Sequence, residues 1–587
     1  MIRHLHTFLT APSGRFFSPR TLLWFCLSLG LVLVYSLIAL QEAFSAAHVI
    51  QDDARQHVFW MQRFVNPALF PDDRIADYFQ SVAPGGYQLL YRMAAATGLS
   101  PILFHKLLPV GLNLIMAGYC FATCLCLLPI PVAAFSATLL LGQGLGTTDA
   151  IVSGTPKAFI YPLLLAFLYY LLRGRLIPTL VIIALQGLFY PQLVFLSAGV
   201  LVLRLGQWRG GRLGLTPVKR DRLLSLSGLA LALVVLLPYA LQSSAFGPTL
   251  TLTAARDLPE LALPGSRSQY FFDSDPAAYW LKGRSGLRLA TALTPVTNGL
   301  GLLLPFLGLF PKRFPLVRQV QPAVTVLPQL LVSSLAMFAA AHLLLFRLHL
   351  PSRYTQHSFR IILSLAAGMA LVLLVDAVLR WAMRPAGAAR SAATVRPQPR
   401  WKIGGAIALT SILGALVVGY PVLVPGFPLT AYQIGQYPAL YEFLRSQPTD
   451  SLIASLSNEV NNLPSFAQRS ILTGSEYAIP YHTGYYTEIR QRTTDLIRAQ
   501  YSADPAIVQE FIERYGITHW LLDRNAFQPR YLTNQAWIQQ YPAAAQAARQ
   551  ALQRESPALS GLNDCVMFAD RGLSLLDARC ITAALSR

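Results

Sequence analysis

Long apolar runs separated by short polar stretches make up most of the chain up to residue 424. The first run, "TLLWFCLSLGLVLVYSLIAL" from Thr21, has about the 20 residues that a membrane-spanning helix needs. Further runs of this kind cover about 103–128, 132–147, 158–172, 223–242, 291–310, 325–346, 358–381 and 403–424. One more, 176–205, is longer and carries Tyr190-Pro191-Gln192 in its middle. Proline ends or kinks a helix, so this run predicts two short helices folded as a hairpin. Short helices at membrane depth are tolerated where protein covers them or where they line a cavity. From 425 the pattern changes. Short β-like runs, "SLIASL" (451–456), "GITHWLLD" (516–523) and "RGLSLLD" (571–577), mix with helical stretches at 504–515 and 541–555. "DPAIVQEF" offers an Asp N-cap followed by proline at the first helical position. The pattern predicts a membrane domain, 1–424, and a soluble α/β domain, 425–587, which is an ordinary domain size.

Charge orients these runs. Only 13% of the 587 residues are charged while 54% are hydrophobic, and the formal net charge is +20. The basic residues sit in short loops between apolar runs, where the positive-inside bias places them, so nucleic acid is not the expected partner. Arg3, Arg15 and Arg20 put the N-terminus in the cytoplasm. The first run has no small-residue cleavage site and reads as an uncleaved span. The basic stretches 173–175, 204–222, 311–319 and 380–402 then fall on the same side. Threading the chain gives about eleven crossings with N inside and C outside, and large outside loops at 42–102 and 243–290. The expected class is an α-helical polytopic membrane protein with a small extracytoplasmic α/β domain. Composition points to a bacterial inner membrane, with membrane lipids as surroundings. Cys26, Cys120, Cys124 and Cys126 lie in apolar runs and read as core thiols, whereas Cys565 and Cys580 either pair in an oxidising compartment or stay free.

The chemistry-bearing residues gather on the outer side. "QDDARQHVFWMQRF" follows the first span and carries Asp52 and Asp53. "TTDAIVSGTPKAF" carries Asp149 and Lys157, and the hairpin turn carries Tyr190 and Gln192. The loop 243–290 adds Asp257, Glu260, Asp273, Asp275, Lys282 and Arg284. The segment 347–360, "RLHLPSRYTQHSFR", breaks the charge rule by placing Arg347, Arg353, Arg360, His349 and His357 outside. An anionic ligand such as phosphate explains that exception, because guanidinium forks match phosphate oxygens; snorkelling arginines at helix ends are the alternative. A carboxylate beside a cavity acts as a general base or binds a divalent ion through oxygen. Each acid also has a plain reading. Asp52 and Asp53 suit an N-cap. The pair in "FPDDRIADYF" (70–79) reads as a cap and solvated face. Asp376 lies one helical turn before Arg380 and reads as half of a local ion pair.

This layout resembles the GT-C superfamily of membrane glycosyltransferases that use polyprenyl-phosphate sugars. The resemblance rests on "QDDARQHVFWMQRF" after the first span, "TTDAIVSGTPKAF" in the second outside loop and "LPSRYTQHSFR" before a late span. It covers the topology of most of the chain, and its motifs are short. It implies Asp52, Asp53 and Asp149 as catalytic acids. It implies Arg353, Tyr354, His357 and Arg360 of the late loop as the donor-phosphate set; Lys157, which follows a turn, either joins that set or marks the membrane interface, and Asp52 with Asp149 are the ligands if a divalent metal, Mg or Mn, is used. The implied partners are a lipid-linked sugar donor and a lipid or glycan acceptor, on the outer face. There is no WWDxG-type signature, so transfer to asparagine is disfavoured. Two alternatives remain at this point: a membrane transporter or flippase, and a non-catalytic scaffold of the same fold.

Overall fold

The computed structural model describes all residues except 1, 14–17, 210–211, 242, 263–274 and 385–399. Arg15, Asp273 and most of the basic stretch 380–402 lie outside the described residues. Among those described, six helices are long and apolar enough to cross a membrane: Pro19–Ala43, Pro101–Leu127, Lys219–Leu241, Pro322–Leu343, Ser352–Met383 and Arg400–Leu423. Shorter apolar helices are Pro131–Leu145, Pro156–Leu172, Leu176–Phe189, Gln192–Leu205 and Val296–Gly308. This is an integral, multi-pass membrane protein.

Local chemistry sets the boundaries. Ser18 and Ser100 cap Pro19–Ala43 and Pro101–Leu127, each accepting from a backbone N–H three residues on while proline fills the first helical position. The run 176–205 breaks where expected: one helix ends at Phe189 and the next begins at Gln192, with Pro191 between them. The run 291–310 departs from expectation. It forms a 3₁₀ helix, Val296–Leu303, and only a short α-helix, Leu304–Gly308. Here Gly301 lies so close to Ser352–Met383 that a Cβ on it would sit 2.7 Å from the Leu363 carbonyl oxygen.

Ser352–Met383 is the centre of the bundle, mostly buried, whereas Arg400–Leu423 lies at the periphery and is mostly exposed. It runs against Pro131–Leu145 through Gly368, whose absent Cβ would sit 2.5 Å from Ala137 N. Outward-facing Leu27, Val34, Leu233, Ile412 and Leu416 leave an apolar surface that suits acyl chains rather than water. Cys26 is exposed on that outer surface rather than in the core, because it points away from the bundle; Cys120 and Cys124 are buried. Asp376 is fully buried and accepts from Arg380 at 2.8 Å, as its spacing predicts, and also from His6 at 2.7 Å.

Among the described residues, three strand assemblies accompany the helices. β1 (Val49–Gln51) pairs antiparallel with β4 (Tyr432–Ile434), Gln51 opposite Tyr432. β2 (Gly206–Arg209) and β3 (Arg212–Leu215) form a hairpin. The C-terminal part holds a mixed sheet in the order β6-β5-β7-β9-β8, where β5 is Leu452–Ala454, β6 Ser470–Ile471, β7 His519–Asp523, β8 Val566–Asp570 and β9 Leu573–Asp577. β5, β7 and β9 fall within the expected runs; β6, only two residues long, and β8, "VMFAD", were not among them. Asp504 caps Pro505–Tyr515, and a second helix covers Pro542–Arg554. Cys565 and Cys580 form a disulfide. The main apolar core runs without a break from the bundle into this part, through Tyr441, Val460, Tyr477 and Tyr485.

Candidate active site

The two adjacent acids at 52 and 53 part company because of what β1 pairs with. β1 holds Gln51, whose side chain donates to Asp149 Oδ2 and to the Thr430 carbonyl, each at 3.3 Å, and accepts from Asp53 N at 2.9 Å. Asp52 N is tied to the Ala431 carbonyl at 3.1 Å. With the backbone fixed in this way, the Asp52 carboxylate turns to Arg55. That guanidinium also reaches Glu476 at 3.1 Å and Asn462 at 3.1 Å. Gln56 donates to both the side chain and the backbone carbonyl of Glu476. Glu476 belongs to "SEYAIPYHTGYYTEIRQR", which covers this end of the bundle like a roof; its Tyr485 stacks on Tyr78 at 3.7 Å.

Asp53 faces the other way, onto Lys157. It stands at the N-cap position of Ala54–His57, yet its side chain makes no cap hydrogen bond. Asp73 of the second acid pair does cap, accepting from Ile75 N at 2.8 Å and Ala76 N at 3.0 Å. The two Asp-Asp pairs therefore do different work. The Lys157 ammonium reaches Asp149 Oδ2 as well, at 2.7 Å, so one cation joins two carboxylates from two loops. Burial alone would raise the Asp53 carboxyl, but Lys157, with help from His57 and Arg353, outweighs it and holds the group well below the usual carboxylate range.

Around this set stand the cations of the late loop and its neighbours. Arg353, at the start of Ser352–Met383, is half-buried and acts electrostatically on Asp53, Lys157, Tyr190 and His349. His349 is enclosed near Arg353 and His57, and burial pushes it down to about 3, so the ring is neutral at ordinary pH. Arg360 is buried with its donors turned to protein: Tyr161 Oη at 2.9 Å, the Thr291 carbonyl at 3.0 Å and Thr148 Oγ1 at 3.4 Å. His357 Nδ1 meets the same tyrosine oxygen at 3.0 Å. Tyr354 donates to the Leu348 carbonyl at 2.9 Å and so fixes the loop rather than facing the acids. Asp52 and Asp149, expected to share a metal, have different cationic partners.

Two residues not singled out for the phosphate set join the site. Arg288 adopts a left-handed backbone (φ 54°), donates to Gln356 Oε1 at 3.2 Å and feels the charges of Arg353, Arg360 and Asp149. Tyr190, at the hairpin break, has a buried hydroxyl with no hydrogen-bond partner, within electrostatic reach of Arg353 and Lys157. Nothing local marks Arg288 in the sequence; the tyrosine's signal was the Tyr-Pro break. An open hollow on the C-terminal part, lined by Thr487, Glu488, Arg492 and Tyr515, shares none of these residues. The arrangement thus offers carboxylates for proton transfer next to a cluster of arginines for an anion.

No family model and no curated protein matches this chain. Solved structures do. The oligosaccharyltransferase of Archaeoglobus fulgidus in the apo form aligns over 88% of this chain and 72% of its own, with 11% identity and a TM-score of 0.50. The same figures hold for AglB from that organism in complex with an inhibitory peptide and a dolichol-phosphate. ArnT from Cupriavidus metallidurans aligns over 96% of this chain and 98% of its own, with 13% identity and a TM-score of 0.42. At such identity the likeness is one of fold. The chain has a GT-C-like membrane fold, as the resemblance in its layout implied.

Proposed function

We propose that this protein is an integral membrane glycosyltransferase that takes a sugar from a lipid-phosphate donor and passes it to a lipid or glycan acceptor on the outer face of a bacterial inner membrane. The observation that carries this reading is the Asp53–Lys157–Asp149 set standing beside Arg353 and Arg288 at the roofed end of an apolar bundle. The archaeal structure with dolichol-phosphate supports the choice of donor class. The Cys565–Cys580 bridge supports an extracytoplasmic C-terminal part, since such bonds persist in oxidising compartments. With the basic loops it favours about eleven crossings, N inside and C outside, and the division at 424/425.

In this reading the acceptor hydroxyl hydrogen-bonds to Asp53. Its oxygen attacks the anomeric carbon while the bond from that carbon to the phosphate oxygen breaks. The leaving electron pair stays on the phosphate, and the hydroxyl proton passes to the carboxylate. Arg353 and Arg288 hold the charge that grows on the leaving phosphate. Arg360 and His357 brace Tyr161 and the loop carbonyls behind that surface. Inversion at the sugar carbon is what the superfamily resemblance implies. Asp52 belongs to the roof contact through Arg55 and Glu476.

The test is a profile of cell-envelope glycans and lipid-linked sugars in a deletion strain. The strain carries wild type, Asp53→Asn, Asp52→Asn or Arg353→Ala at equal membrane levels. Expected is a glycan lacking one sugar and an accumulated lipid-linked sugar in the deletion strain, restored by wild type and not by Asp53→Asn or Arg353→Ala. Full rescue by both variants would reject the reading.

A further inference from the structure

Two carboxylates from separate loops, converging beside a phosphate-binding surface, are the usual oxygen ligands of a divalent ion. Here the place between them is already taken. Lys157 Nζ lies 2.7 Å from Asp149 Oδ2 and in contact with Asp53. A Mg or Mn ion bound to both acids needs metal–oxygen distances near about 2.1 Å, which would put it on top of the ammonium. The neighbouring polar group gives no help. Gln51 turns its amide N–H toward Asp149, and its oxygen accepts from Asp53 N, so no neutral oxygen ligand is offered. Both acids thus already face the Lys157 ammonium, with Arg353 close enough to act on Asp53 and on Lys157. Among the described residues no group of three His, Cys, Asp or Glu side chains is suited to hold an ion. The residues present do not fit a metal.

We infer that Lys157 is the resident cation of this site: its ammonium holds Asp53 and Asp149 together in place of a divalent ion, and the transfer reaction runs without metal. This rests on the transferase reading above for the reaction itself, though not for the cation's place. The ammonium has three N–H donors, and two face carboxylates, which leaves one for an oxygen of the donor phosphate. A single residue then joins the base to the leaving group. The exchange also changes the charge of the centre. Two carboxylates with one ammonium carry a net negative charge, whereas with a divalent ion they would be neutral, so Asp53 keeps the charge it needs to accept a proton.

The experiment uses full-length protein in detergent and Mn²⁺ as the probe, followed by the EPR signal of the free ion. Wild type is expected to leave that signal unchanged. Lys157→Ala or Lys157→Met is expected to capture Mn²⁺ at least about tenfold more tightly than wild type, with the gain lost when Asp149→Asn is added. Sugar transfer by wild type is expected to be the same in EDTA as in Mg²⁺ or Mn²⁺. Capture by wild type that Asp53→Asn or Asp149→Asn abolishes would overturn the inference, as would failure of both Lys157 variants to bind the ion. Chelator-sensitive transfer restored by Mg²⁺ or Mn²⁺ would overturn it too. A wild type that moves no sugar under any condition counts against the transferase reading alone, because the Mn²⁺ measurement needs no turnover.

Discussion

Asp52 and Asp53 are neighbours with opposite surroundings, one on the Arg55–Glu476 pair and the other on Lys157. Their asparagine variants are expected to separate. On the proposed mechanism Asp53→Asn removes the base and lowers sugar transfer by about 100-fold or more, while Asp52→Asn leaves most activity, measured as initial rates with an extracted lipid-linked donor. The pH dependence follows from the Lys157 contact. Asp53 is depressed in the folded protein, so its ionised form contributes stability and activity above the ordinary carboxyl pKa near about 4, lost only as pH falls through the lower folded value. In Lys157→Met, burial dominates and the pKa rises, so the acid limb of the rate–pH curve is expected to move upward. An unmoved limb would mean that Asp53 is not the titrating base. The acids at 52 and 53 were legible as candidates from their place after the first apolar run. Which of the two meets Lys157 was not, because that depends on β4 and on Lys157, both distant in sequence.

At the scale of elements, the roof and the central helix carry the geometry. Glu476 accepts from Arg55 and Gln56 in a buried contact. Glu476→Ala leaves the Arg55 guanidinium short of a partner and is expected to cost about 3 kcal/mol, seen as a lower thermal unfolding midpoint in detergent. Gly144 sits where a Cβ would lie 2.7 Å from the Thr294 carbonyl oxygen and 3.4 Å from Arg360 Cδ. Gly144→Ala must therefore displace a backbone carbonyl or the Arg360 stem. It is expected to destabilise by about 1–3 kcal/mol and to raise the KM for donor, measured by unfolding and by donor titration. Helix existence was readable from apolar runs, and the hairpin break from Tyr190-Pro191. The partial 3₁₀ character of Val296–Gly308 was not, because hydropathy does not distinguish a 3₁₀ from an α-helical turn, nor show that Gly301 packs on Leu363.

Across the whole molecule, the C-terminal part is bonded into the site as well as packed against it. The Cys565–Cys580 bridge closes a loop of sequence separation 15 beside β8 and β9. Cys580→Ser is expected to lower the stability of that part by about 3 kcal/mol. In whole cells, wild type is expected to react with a membrane-permeant maleimide at these two cysteines only after reduction, and a thiol that labels without reductant would speak against an outer location. The split between an apolar region and a polar tail was plain from composition. The continuity of their cores was not, since apolar pattern shows which side chains are buried but not which partner buries them.

The pairing of β1 with β4 has a consequence for the order of events in the cell. Residues 49–51 emerge early from the ribosome, and their strand partner at 432–434 follows only after every apolar helix. Until then Gln51 has no Thr430 carbonyl to hold and Asp53 has no fixed direction. A nascent or truncated chain therefore sits in the membrane with its acids unaimed. The site is complete only when the last third of the chain has been made, so on the transferase reading an incomplete copy is expected to leave the donor lipid untouched.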